Sequence, residues 1–131
     1  MLQKLIDIVQ KKYKIDQTQE WYKGSKTYFD WLIDETKEVE DELKDNNKVY
    51  LEDELWDILW VYLNMIEGLK DEWKIDSLES ILQRAEKKFW ERIDTISGWE
   101  TQKIRSAAWK RVKDKQKAEN KTEHEKLYSN N

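Results

Sequence analysis

Two pairs of acidic residues stand among apolar neighbours in the first half of the chain: Glu35 with Glu38, and Glu54 with Asp57. The members of each pair are three residues apart, so both would project from one side of a helix. Burying unpaired carboxylates is costly, and their mutual repulsion adds to that cost. A bound cation would offset both, and ligation by carboxylates alone selects a hard ion, Mg²⁺ with Mn²⁺ as a possible substitute.

The same residues have a simpler interpretation. On a charge-rich helix, acids usually pair with Lys or Arg or face solvent. If the chain had only a single such glutamate, this simpler interpretation would be favoured. Two E-x-x-[ED] pairs placed symmetrically about one turn instead favour a metal site. A di-iron bundle would need Glu-x-x-His motifs, and the only histidine is His124.

Long helices must position these acids, because the chain has no proline and only three glycines. A turn at Asp45–Asn47 would join the second and third helices antiparallel, so the two acidic pairs would lie at similar heights. Apolar periodicity and capping residues predict five helices. They run from Leu2 to about Lys12, from a cap at Ser25 to about Lys44, from Lys48 to about Leu69, from a cap at Asp76 or Ser77 to about Ile96, and from Thr101 to about Lys117 or beyond.

The fold class is therefore an all-α helical bundle of about four to five helices. The third helix is apolar nearly all round, which predicts that it is the most buried element and that the chain dimerises. Residues 1–118 are expected to form one domain, and residues 119–131 a frayed polar tail with little to bury.

Composition excludes several classes of protein. Without cysteine there is no disulfide scaffold and no thiolate metal site. The longest apolar run is far shorter than a membrane span, and the N-terminus lacks a signal segment, so we expect a cytoplasmic protein with no membrane partner. The net charge is −4, but residues 101–131 carry an excess of basic side chains. This basic region could face nucleic acid, an anionic ligand or the acidic residues of the rest of the chain.

The acidic motifs resemble those of the MazG-like nucleoside triphosphate pyrophosphohydrolases, whose pattern is E-E-x-x-E followed by E-x-x-D. The corresponding stretches are Asp34-Glu35-Thr36-Lys37-Glu38 and Glu54-Leu55-Trp56-Asp57. The stretch from Lys88 to Arg92 is similar to the family's K-x-x-x-R element, and the stretch from Trp109 to Lys113 resembles a later W-x-x-x-K element. The resemblance covers roughly residues 2–117.

The resemblance implies an all-α dimer or dimer of dimers. It also implies Mg²⁺-dependent cleavage of a (d)NTP between the α and β phosphorus atoms, giving NMP and pyrophosphate, as in nucleotide-pool house-cleaning. By match, Lys88 and Arg92 would bind phosphate oxygens, while Trp109 and Lys113 would help to hold the nucleotide. The metal ligands by match would be Glu35, Glu38, Glu54 and Asp57.

The sequence departs from the family pattern at two of these positions. Asp34 is a shorter acid than the usual glutamate, and Trp56 replaces the usual glycine. Asp34 or Glu38, where not used in ligation, would orient or deprotonate the attacking water. Trp31, one turn before Glu35, is the best placed aromatic residue to stack on a nucleobase, although most tryptophans on such helices belong to a core or an interface.

Two other functions remain as alternatives. The first is a non-catalytic helical domain that binds a protein partner through its aromatic helices, with acids serving only solubility; the embedded position of Asp57 argues against it. The second is a nucleic-acid binder that uses the basic C-terminal region. It ranks third because Trp109 is the only aromatic residue interleaved with those cations, and we expect no nucleic-acid partner.

Overall fold

Five helices make up the fold in the computed structural model, which describes residues 1–129, and no strand occurs in that part of the chain. The predicted all-α class and the predicted order of the helices are confirmed. The chain divides into two compact units, Met1–Leu78 and the residues from Glu79 onward. The helices are α1 (Leu2–Asp16), α2 (Ser25–Asp41), α3 (Lys48–Asp71), α4 (Leu78–Asp94) and α5 (Gln102–Tyr128).

The hydrophobic core of the first unit forms where α1 and α2 both pack on α3. Its buried centre is Tyr13, Tyr28 and Val61, one residue from each of the three helices. Asp16 is also buried, and it accepts a hydrogen bond from the Tyr28 hydroxyl at 2.7 Å and pairs with Lys12. The buried carboxylate therefore satisfies the tyrosine hydroxyl that the core encloses. Partly buried side chains that surround this centre are Tyr22, Leu32, Trp60 and Met65.

The start of α2 is held against the end of α3 by a polar contact. Ser25 donates its backbone N–H to Glu72 at 2.6 Å and its hydroxyl to the same carboxylate at 2.9 Å. Gly68 makes this approach possible, because a Cβ there would lie 3.1 Å from the Ser25 Cβ and 3.2 Å from its Cα. The sequence predicted Ser25 as the capping residue; instead Ser25 begins the helix, and Glu72 of α3 binds the free N–H.

Burial along α3 differs from the prediction. Its second half is buried at Val61, Leu63 and Ile66, whereas Leu55 and Trp56 in its first half are 50% and 57% exposed. The apolar pattern alone could not separate these halves, because α1 covers only part of the helix. The helix α1 also continues to Asp16 rather than ending near Lys12, because Tyr13 is buried in the core.

The second unit is a pair of long helices whose side chains make polar contacts. Among its described residues only Gln116 is buried. The helix α5 runs to Tyr128, so residues 119–128 are helical and not the frayed tail that was expected. Glu123 of this stretch pairs with Arg84 of α4, at 2.5 Å, which gives the predicted tail a partner. The last two residues of that tail lie outside the described residues, and the domain boundary at residue 118 stays a prediction.

Candidate metal centre and basic groove

Three carboxylates of the first unit converge across the α2–α3 interface. Glu35 and Glu38 lie one turn apart on α2, and Glu54 lies on α3. One ligand oxygen from each of the three lies within 4.8 Å of the others. The helices that carry them, α2 and α3, pack against each other. The short segment between Asp41 and Lys48 connects them. The structure thus brings together three of the four residues that the resemblance implied as metal ligands.

The carboxylates of this cluster have no ion-pair partner in the part of the chain that the structure describes. The Oε2 atoms of Glu35 and Glu54 are buried and have no hydrogen-bond partner within the described part of the chain. Burial, a hydrogen bond with Glu38 and the charges of nearby acids raise the pKa of Glu35 to about 7. Burial and the Glu38 charge likewise raise the pKa of Glu54. Each of these shifts means that the site disfavours its own negative charge.

A divalent cation fits this site on the chemistry of its donors. The ligand atoms are all carboxylate oxygens, which are the donors of hard cations. Two oxygens of these carboxylates, the Oε2 atoms of Glu35 and Glu54, are buried and have no partner in the described chain. Buried polar atoms in native proteins normally have a partner, so the unsatisfied oxygens of Glu35 and Glu54 are what a metal ion would bind.

Asp57 and Asp53 border this cluster on α3. The pKa of Asp57 is raised by burial, by the charge of Asp53 and by the charge of Glu38. The sequence argument did not single out Asp53, although its spacing of four residues from Asp57 places both on one helix face. Asp34 is exposed on α2 and lies outside the group of three converging carboxylates. Its role in orienting water stays a prediction.

Trp31, the candidate for stacking on a base, lies in a chain of aromatic rings on the first unit. Its ring is 5.0 Å from that of Trp21, tilted by 37°, and 5.7 Å from that of Tyr28. Trp31 is 36% exposed and Trp21 is 43% exposed. The pair therefore offers an aromatic surface to solvent one turn before Glu35, while its inner edge rests on the core.

The basic residues singled out from the sequence lie in the second unit. Lys88, Arg92 and Lys113 line one groove of about 750 Å³ between α4 and α5. Trp109 packs on Arg92, with the guanidinium carbon 5.5 Å from its ring centre. The structure thus places Lys88, Arg92 and Lys113 together, and it gives Trp109 a cation as its partner.

The fold and the two sites define an all-α protein with a carboxylate cluster and a basic groove. The chain matches the family model of the MazG nucleotide pyrophosphohydrolase domain over residues 23–97. It therefore belongs to the MazG family, whose members are metal-dependent nucleotide pyrophosphohydrolases. The matched range contains the acidic cluster, Lys88 and Arg92, whereas Trp109 and Lys113 lie beyond it.

Other comparisons add no named relative. No curated protein and no solved structure matches the chain significantly. Within residues 1–129, every helix is too short or too polar to cross a bilayer.

Proposed function

We propose that the protein is a Mg²⁺-dependent nucleoside triphosphate pyrophosphohydrolase that cleaves a (d)NTP between its α and β phosphates. The observation that carries the proposal is the cluster of Glu35, Glu38 and Glu54, with its two buried and unsatisfied oxygens, in a chain of the MazG family. The products would be NMP and pyrophosphate, and the role would be removal of unwanted nucleotides from the pool. Mn²⁺ would be able to substitute for Mg²⁺.

The acidic residues would have two tasks. Glu35, Glu38, Glu54 and Asp57 would hold the cation. When bound, the cation would screen the triphosphate charge from these carboxylates and acidify a nearby water molecule. Asp34 or Glu38 would orient that water and accept its proton, since both are exposed on the same helix as Glu35.

The basic and aromatic residues would bind the substrate. Lys88 and Arg92 are one turn apart on α4, so both can donate to the phosphate chain and stabilise the charge that develops on the leaving pyrophosphate. Lys113, which lines the same groove, would add a third cation. Trp31 would stack on the base, and Trp109 would help to hold the nucleotide.

We also propose that the protein assembles as a homodimer or homotetramer. Val49, Tyr50, Leu55 and Trp56 are each at least half exposed in the first half of α3. Apolar side chains in one stretch of helix favour a partner surface. Light scattering of the purified protein checks the oligomer, and Trp56→Lys should shift it toward the monomer. The cytoplasmic location stays a prediction of the sequence.

The decisive experiment is incubation with canonical and modified NTPs and dNTPs in the presence of Mg²⁺, with pyrophosphate and orthophosphate measured separately. Wild-type protein should release pyrophosphate, and EDTA should stop the release. Glu38→Gln and Asp57→Asn should each reduce the rate by at least about 100-fold while circular dichroism remains unchanged, because each removes a charge that the cation requires.

A matched control is Glu40→Gln, which removes an exposed charge from the same helix outside the cluster. It should retain the wild-type rate. Release of orthophosphate alone would refute cleavage between the α and β phosphates. Wild-type turnover in both Glu38→Gln and Asp57→Asn would place the active site elsewhere.

A further inference from the structure

The guanidinium of Arg92 is held from several sides. Its Nε donates to the side-chain oxygen of Gln116 on α5 at 2.9 Å. The rings of Trp109 and Phe89 lie 5.5 and 5.8 Å from its central carbon. Arginine carries five N–H donors in a rigid planar fork. The contact to Gln116 uses the donor on Nε, so the donors on the two Nη atoms are those available to a ligand in the groove.

Gln116 is fixed as firmly as the arginine that it binds. It is 8% exposed and is the buried residue of the second unit's described part. Its amide nitrogen donates to the backbone oxygen of Lys88 at 3.0 Å and to Glu91 at 2.9 Å. Both ends of the amide are therefore occupied by α4, and the side chain cannot rotate without losing all of its hydrogen bonds.

Arg84, two turns earlier on α4 and lining the same groove, provides a contrast. Its Nη atoms are engaged by the Glu123 carboxylate, at 2.5 and 3.2 Å. Arg92 has no carboxylate partner among residues 1–129. Of the two arginines in the groove, Arg92 is the one whose fork is both oriented by neutral contacts and open to an anion.

We propose that Gln116 and Trp109 are positioning residues that hold the Arg92 guanidinium with its Nη groups directed to the phosphate chain. This rests on the proposed function for the identity of the anion, a nucleoside triphosphate and its pyrophosphate product. It changes the role of Trp109, which acts through Arg92 and not by contact with the nucleotide. It adds Gln116, which lies outside the matched family range and which no motif indicated.

The test measures binding of inorganic pyrophosphate by calorimetry in EDTA, so that the carboxylate cluster cannot hold the anion through a cation. The variants are Gln116→Met, Arg92→Lys and the double variant. Methionine keeps the length of the side chain and removes both hydrogen-bonding groups. We expect Gln116→Met to weaken binding about tenfold, because a charge-assisted hydrogen bond that orients the fork is lost.

The double variant separates positioning from simple helix packing. Lysine has no Nε donor for Gln116, so in the Arg92→Lys background Gln116→Met should cause no further loss. Asn120→Leu is the control, since it removes an exposed amide one turn further along the same groove. It should bind pyrophosphate as the wild type does.

Two results would overturn the inference. One is an equal loss from Gln116→Met in both backgrounds, which would mean that Gln116 only joins the helices. The other is a wild-type protein that hydrolyses nucleotides but binds no pyrophosphate in EDTA. Conversely, coupled loss of pyrophosphate binding in a protein that hydrolyses no nucleotide would support the arginine positioning and refute the proposed function, so the two failures are distinguishable.

Discussion

The two units of this protein hold their charged groups in opposite ways. In the first unit, Glu35 is partly buried beside other acids, and burial with that repulsion raises its pKa to about 7. In the second unit, Glu100 accepts hydrogen bonds from Ser97 and Gly98, and these donors lower its pKa to about 2. Glu123 is likewise satisfied, by Arg84.

This difference shows where a cation is needed. A carboxylate with nearby donors requires nothing further, whereas the cluster on α2 and α3 keeps buried oxygens that no described residue satisfies. The first unit tolerates these unsatisfied oxygens because its hydrophobic core holds α2 and α3 together. The packing of the core offsets the electrostatic energy of bringing the carboxylates close to one another. The second unit has no buried apolar residue in its described part, so its charges must satisfy one another.

The largest expected effect contrasts the buried core of the first unit with an exposed aromatic residue of the second. Tyr28→Ala should lower the free energy of unfolding by about 3–5 kcal/mol, because it opens a cavity and leaves Asp16 without its hydroxyl donor. Trp90→Ala, at a residue 68% exposed on α4, should change it by less than about 0.5 kcal/mol. Urea denaturation measures both. An equal loss for Trp90 would mean that another surface covers α4, and the comparison of the units would fail.

The acidic cluster should make the metal-free protein less stable as pH rises. Below about pH 4.5 Glu35 is protonated in both the folded and the unfolded chain; between there and about pH 7 only the folded chain retains the proton. Stability is therefore lost as pH rises through this window, on the order of 2 kcal/mol. Thermal melts in EDTA measure the decline.

Mg²⁺ at pH 7 should restore the melting temperature, because it binds the folded cluster only. Glu35→Gln, which cannot ionise, should flatten the decline in EDTA. A decline of the same size in Glu35→Gln would mean that other groups cause it.

A smaller effect tests how closely the helices of the first unit must approach. Gly68→Ala places a methyl group 3.1 Å from the Ser25 Cβ and 3.2 Å from its backbone, so α2 or α3 must shift. We expect a loss of about 1–2 kcal/mol in chemical denaturation, since the strain exceeds the gain in helix propensity. Ala107→Gly on α5, which reverses the exchange at an exposed helical position, should cost about 1 kcal/mol by propensity alone. Stabilisation by Gly68→Ala would show that the α2–α3 contact is loose.

The smallest effect concerns the cross-helix ion pair of the second unit. Glu123→Gln removes the charge that pairs with Arg84, whose side chain is 61% exposed. Exposed pairs contribute little, so unfolding should change by less than about 1 kcal/mol. Raising the salt concentration should reduce even this difference. A loss above about 2 kcal/mol would show that the pair determines the helix arrangement and is more than a surface contact.

The sequence alone predicted much of the fold because its signals were local. Five helices in the correct order follow from apolar periodicity and the scarcity of breakers. The convergence of Glu35, Glu38 and Glu54 follows from spacing and one short turn, which together leave little choice of register. Helix ends were less accurate, since the end of α1 depends on the packing of Tyr13 and the length of α5 on partners in α4.

Only the tertiary structure decided what surrounds each side chain. It separated the buried half of α3 from the exposed half that carries Leu55 and Trp56. It left two oxygens of the acidic cluster without partners among residues 1–129, and it gave Arg92 an amide and two aromatic rings as neighbours. Periodicity indicates which face of a helix is apolar. Contacts between residues distant in the chain decide which neighbour covers that face and which carboxylate accepts a hydrogen bond.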